Sequence, residues 1–213
     1  MHDKEFKEIL EVLFTNPERL SSVLRDTSTD TLVYSLQEIL VRYANDVNSS
    51  TLREFITIMK AGYEPQSAGV KLGYNGETSS GVPCEVKPVN IRSEAGRKLN
   101  GGGNFSDLTH ERLAHYQEDK VIMLVSGFFN GRLMYILEFP FSYQPFVEKL
   151  RQQLLNYFTK ESRRAGQYLR SADFSFKHYE DCPTLRIAYI HPDLLEYQKL
   201  FTKGLFQFLS GRK

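Results

Sequence analysis

The sequence has little that would mark a secreted, membrane-spanning or zinc-dependent protein. Only two cysteines, Cys84 and Cys182, occur in 213 residues, far apart and outside any motif, and the N-terminal "MHDKEFKE" is too charged for a secretory leader. Free thiols in a reducing, cytoplasmic setting are therefore expected rather than a disulfide. The longest apolar run, "VIMLVSGFF" at 121–129, is far too short to cross a bilayer, so no membrane association is expected. Net charge is only +1, which excludes an indiscriminate positive coat and leaves room for a local basic groove. Repeats and low-complexity segments are absent. No Gly-Lys-Ser/Thr follows the triplet Gly101-Gly102-Gly103, so it is neither a P-loop nor a dinucleotide fingerprint. His110 and His115 are spaced onto different helix faces, which argues against a zinc site, and no G-x-S-x-G stands anywhere.

What remains is an ordinary globular composition, 41% hydrophobic and 25% charged, in a chain long enough for one core with an accessory helical lobe. Residues 1–61 read as helices: "KEFKEILEVLF" has helical apolar spacing, Asn16-Pro17 opens a second helix, a third runs from about Asp30 to Tyr43, and Thr51 with Glu54 has capping-box spacing. Residues 62–213 change character to short apolar alternations broken by Gly, Ser, Pro and Asn. Residues 106–117 can form a helix, Asn130-Gly131 between two β-rich runs predicts a type I′ hairpin, a long helix follows Pro145 to about Arg163, and a strand at 184–190 precedes a last helix. The expectation is a single α/β (α+β) domain with a central mixed sheet flanked by helices.

In the run 82–87, Val82, Cys84 and Val86 point one way on an extended strand, and Glu85 and Lys87 point the other. Residues two apart on a strand lie about 6 to 7 Å apart on one face. A carboxylate suits Mg²⁺, which takes one or two carboxylates and keeps its waters, and an adjacent lysine can hold or deprotonate one of those waters. With a second carboxylate on the same ion, such a site can bind a phosphodiester and activate water. Glu77 stands upstream, with Ser79, Ser80 and Gly81 between to turn the chain.

An acidic residue, a short turn and an acid-x-lysine triplet on a strand resemble the PD-(D/E)xK nuclease superfamily, here Glu77 and then Glu85-Val86-Lys87. The resemblance covers about residues 50–140 and implies a core of a helix, three strands, a helix and a strand, supplied by Leu52 to Ala61, the segment 63–89, Asp107 to Tyr116 and Val121 to Phe129. It implies a restriction-endonuclease-like core carrying the N-terminal helical lobe. It also implies a Mg²⁺-dependent, sequence-specific endonuclease of the type II restriction kind that cuts double-stranded DNA to leave 5′-phosphates, as a homodimer. Glu77 and Glu85, with the Val86 carbonyl, would hold the metal, and Lys87 would orient the attacking water. No Pro-Asp dipeptide precedes the triplet, and the first acid is Glu; Glu64, or Glu54 on the preceding helix, is the alternative partner.

Two other triplets compete. Glu5-Phe6-Lys7 lies on a helix, where residues two apart do not face each other, and Glu118-Asp119-Lys120, with Asp107 upstream, precedes an apolar run instead of lying within it. The bland reading of Glu85 and Lys87 is an exposed sheet face with an inconsequential charge pair. The loop "RKLNGGGNFSD" is either a mobile surface loop or a DNA contact, in which glycine amides approach a phosphate, Arg92, Arg97 and Lys98 supply charge, and Asn100 or Asn104 reads a base edge. The basic stretch from Lys149 to Lys177 would touch phosphates. Within the same superfamily a DNA repair or recombination nuclease is the alternative, and outside it a non-catalytic nucleic-acid-binding module.

Overall fold

The computed structural model describes residues 2–44, 50–65, 74–92, 96–159 and 167–211. Three helices, α1 (His2–Thr15), α2 (Leu20–Asp26) and α3 (Thr29–Ala44), form the N-terminal lobe. It docks on α4 (Thr51–Ala61) because Phe6 and Leu10, one helical turn apart on α1, bury against Phe55. Asn16 makes no capping bond and Pro17 opens a single 3-10 turn before α2. The capping-box expectation at α4 is also corrected. Ser50 is the cap, without a side-chain bond, and the Glu54 carboxylate instead accepts from Asn75 Nδ2 at 2.9 Å. Gly62, at φ 85°, ends α4 in the left-handed region that a Cβ disfavours.

Three strands follow: β1 (Glu64–Pro65), β2 (Gly76–Glu77) and β3 (Pro83–Ile91). They are successively antiparallel. Next come β4 (Gly103–Leu108), α5 (His110–Glu118), β5 (Ile122–Phe129) and β6 (Arg132–Pro140), then α6 (Gln144–Phe158), β7 (Leu169–Phe174), β8 (Arg186–Ile190) and α7 (Lys203–Leu209). The main sheet is mixed, in the order β1-β2-β3-β5-β6-β8, with β3 and β5 parallel; β4 and β7 form a separate antiparallel pair. Fold class is thus mixed α/β, as expected.

The β5-β6 hairpin turns at Asn130-Gly131 with φ of 49° and 78°, the type I′ geometry those two residues tolerate. The helix expected over 106–117 begins only at His110. Thr109 caps it by accepting from the Arg112 N–H at 3.0 Å, and Gly103–Leu108 pairs instead with β7, burying Phe105 and Leu108. The helix after Pro145 ends at Phe158, and the rest of its expected length, with Lys160, Arg163 and Arg164, lies outside the described residues.

The sheet separates two apolar layers. On one side Cys84 and Val86 pack with Ile56 and Ile58 of α4, Leu124 and Ile136. A buried Thr57 Oγ1 to Ser126 Oγ bond of 2.7 Å ties α4 to β5 there. On the other side Met123, Val125, Leu137 and Phe139 meet α5, α6 and the β4-β7 pair, with Phe105, Tyr116, Phe146 and Phe174 interleaved edge to face. Cys84 and Cys182 are both free and buried. Burial and the neighbouring Glu85 push the Cys84 thiol up to about 12, so it stays protonated at neutral pH. Among the described residues no helix is long and apolar enough to cross a membrane.

Candidate catalytic cleft at the free edge of β3

The alternation read from residues 82–87 places Glu85 and Lys87 on the face opposite Cys84 and Val86, and that face is not solvent. Glu85 is only 4% exposed, and Lys87 Nζ lies 2.5 Å from its Oε1. The ammonium also sits 4.5 Å from the Phe105 ring centroid, a cation–π contact. Burial makes this pair unlike a surface ion pair, because the carboxylate lacks water, the half-buried ammonium keeps little, and the carboxylate depends on its partner. Tyr116, held by Arg112 Nη2 at 2.9 Å, stands close enough to feel the carboxylate: burial first, and then the Glu85 charge, keep its phenol well above the ordinary tyrosine range. Tyr74, which donates to Asp119, is raised by burial and that hydrogen bond. Both phenols therefore present O–H groups and no charge.

On its other edge, β3 loses its partner early. β2 pairs with it only at Pro83 and Cys84, and beyond them Asn75 takes over with its side chain, accepting from the Val86 N–H through Oδ1 at 2.7 Å. N–H and C=O of one strand residue point to the same edge, so the Val86 carbonyl also faces this gap. A cavity of about 300 Å³ opens here, lined by Ser50, Glu54, Lys87, Pro88, Gly103 and Asn104. Pro88 suits the position, since an edge residue needs no N–H for a neighbouring strand. The Lys87 stem thus spans from the buried carboxylate to the cleft. Gly103 permits it: a Cβ there would lie 2.7 Å from Lys87 Cβ.

The other candidates separate clearly. Glu77 stands opposite Pro83, two residues before Glu85, which puts it on the same face of the hairpin, and it is exposed. The residue across from Glu85 in that register is Asn75, which sequence reading passed over as part of a turn-rich stretch. Glu64 is bound to Lys7 at 3.2 Å on the outermost strand. Glu54 reaches the cleft from the first turn of α4 and, through Asn75, is coupled to β3. Asn75→Ala should uncouple them and lower the melting temperature, by an amount matching about 2–4 kcal/mol for two lost hydrogen bonds, one of them to a charged group; thermal denaturation checks it.

Of the competing triplets, Glu118-Asp119-Lys120 occupies the end of α5 and the turn after it, all exposed, with Lys120 at φ 53°. It is not a strand pair. Asp107, its upstream acid, is exposed in a left-handed position of β4. Glu5 and Lys7 lie on α1.

Arg92, Arg97, Lys98, Asn100 and Asn104 are all exposed. Asn104 lines the cleft and donates to Ser171 at 3.1 Å, and Asn100 Oδ1 accepts from the Gly102 N–H at 3.0 Å. The glycine triplet is neither loose nor an open amide cradle. Gly101 O accepts from the Tyr179 hydroxyl at 2.6 Å, and a Cβ on Gly102 would lie 2.4 Å from Phe174 O, so these glycines let the chain press against the segment 174–179. In the basic stretch, Arg151 is paired with Glu148 at 2.8 Å, and Arg170 and Lys177 are exposed.

Among the described residues no cluster of three or more His, Cys, Asp or Glu side chains could cage a metal. Of the candidate oxygen donors, Glu54 and Val86 line the cleft, whereas the Glu85 carboxylate lies buried behind Lys87. So sparse an oxygen set fits Mg²⁺, which keeps several waters, better than zinc, whose sites draw three or four protein ligands and nearly always include His or Cys. Compared with known proteins, the sequence matches no family model and none of the curated proteins.

Proposed function

We propose that this chain is a Mg²⁺-dependent endonuclease of the type II restriction kind, hydrolysing phosphodiesters of double-stranded DNA to leave 5′-phosphates. The observation that carries the reading is the buried Glu85–Lys87 pair beside a cleft at the free edge of β3. The order of elements around it supports the reading in outline: α4, three antiparallel strands, then β4 of the separate pair, α5, and β5 parallel to β3. With β4 set aside as an insertion, it is compatible with the helix, three strands, helix and strand that the resemblance to PD-(D/E)xK nucleases implies.

Glu85, the Val86 carbonyl and an acid from Glu54 or Glu77 would hold the ion. When bound, Mg²⁺ supplies charge to the phosphodiester oxygens and acidifies a coordinated water. The chain's own residues do the rest. Lys87 is a donor whose direction is set by Glu85 below and Phe105 beside it, and on this reading it would orient a water or a phosphate oxygen in the cleft it lines. Asn104, on the cleft wall, and exposed Arg92, Arg97 and Lys98 would contact the DNA. A homodimer would deliver one such site to each strand.

Digestion of a mixed-sequence plasmid, with Mg²⁺ and with EDTA, tests this. Discrete fragments with 5′-phosphate ends, formed with Mg²⁺ only, are expected. A smear or junction-specific nicking would move the reading to a repair nuclease, and binding without cutting would leave a nucleic-acid-binding module.

A further inference from the structure

The chain between residues 98 and 104 has a second side. Its far end borders another cavity, of about 790 Å³, between this segment and the residues leading into α7. Lys98, Lys199 and Lys203 line it over a floor that includes Phe201 and Phe206, and Glu196 is its one acidic lining residue. Three cations facing one open cavity repel each other unless something anionic joins them. Among the described residues none of the three has an ion-pair or hydrogen-bond partner on its side chain.

Their placement is fixed by backbone. Leu99, fully buried, forms a parallel bridge with Phe201; its N–H donates to Leu200 O at 2.7 Å and its carbonyl accepts from the Thr202 N–H at 2.9 Å. The backbone of residue 98 is therefore held beside the segment 199–203, which keeps the three exposed lysines around one cavity before any ligand arrives.

We infer that this cavity is a phosphate-backbone anchor, gripping the phosphodiesters that flank the bond held at the Lys87 cleft. The inference rests on the nuclease reading. Lys199 and Lys203, which no sequence motif singles out, join Lys98 in this anchor, and the segment 98–104 connects it to the Lys87 cleft. The chain between Lys98 and Asn104 can span at most about 20 Å. At roughly 3.4 Å of helix axis per nucleotide of one strand, that is a reach of up to about six nucleotides.

The test measures binding of metal-free protein to a labelled duplex by fluorescence anisotropy across a KCl series. Each phosphate contact contributes a slope of about 0.9 in log affinity against log salt, so Lys98→Ala/Lys199→Ala/Lys203→Ala should flatten the slope by about 2 to 3. The melting temperature, measured in parallel, reports folding; should the triple variant not fold, Lys199→Ala and Lys203→Ala singly should each flatten the slope by about 0.9. A wild-type protein that binds DNA, with variants of unchanged slope, overturns the anchor and leaves the nuclease reading standing. A wild-type protein that does not bind DNA overturns both.

Discussion

On the proposed nuclease reading, Lys87→Ala is expected to lower Mg²⁺-dependent cleavage by about 10²- to 10⁴-fold, the range for removing a positioned group that acts on the attacking water, while DNA binding persists. The same variant should be unstable. Glu85 is 4% exposed and its Oε1 lies 2.5 Å from the ammonium, so the truncation strands a buried carboxylate. Breaking a buried pair in this way costs about 3–5 kcal/mol, several times the value of a surface pair. Loss of activity through unfolding and loss through chemistry must then be separated. The double variant Glu85→Gln/Lys87→Met does so for the pair as a unit, because it removes both charges and keeps both volumes: melting temperature should recover toward wild type, and cleavage, which needs the ligand Glu85 as well as Lys87, should not. Full activity in Lys87→Ala would remove this lysine from the mechanism.

Gly103→Ala carries the second large effect and touches no polar group. The added methyl would stand 2.7 Å from Lys87 Cβ and 3.0 and 3.2 Å from two ring atoms of Phe174, all closer than carbon atoms pack. Phe174 is wedged against Phe105, Phe146 and Tyr179 and cannot retreat cheaply, so the Lys87 stem has to shift. Overpacking of this kind costs about 1–3 kcal/mol. A displacement near 1 Å in a reacting group costs about 10²-fold in rate, so kcat should fall by about that factor with DNA affinity little changed. Gly204→Ala is the control: its added methyl meets nothing nearer than Glu180 Oε2 at 4.0 Å, and melting temperature and cleavage should be unchanged or slightly improved. Equal losses in the two variants would break the link between Gly103 and the cleft.

These predictions separate two kinds of information. The helical lobe, the Asn130-Gly131 hairpin and the division of residues 84–87 between two faces were legible because each depends on local periodicity or on the φ preferences of one or two residues. The strand at 103–108 was not. "GNFSDL" has no strong β pattern, and its pairing with β7 closes over a long chain separation that leaves no local trace. Glu54 shows the same limit, since its spacing from Thr51 advertises a cap, whereas a contact from Asn75 outcompetes that local bond.

By itself the sequence determined that Glu85 and Lys87 share a face of a strand, because side-chain direction on an extended chain follows from counting residues. Tertiary structure decided that this face is interior, that β3 lacks a strand partner on its β2 side beyond Cys84, and that Gly103, Asn75 and Glu54 meet along that edge. Burial and edge position depend on which distant segments fold over the strand. Those segments approach through packing of β4, α4 and α5 that no short window of residues encodes.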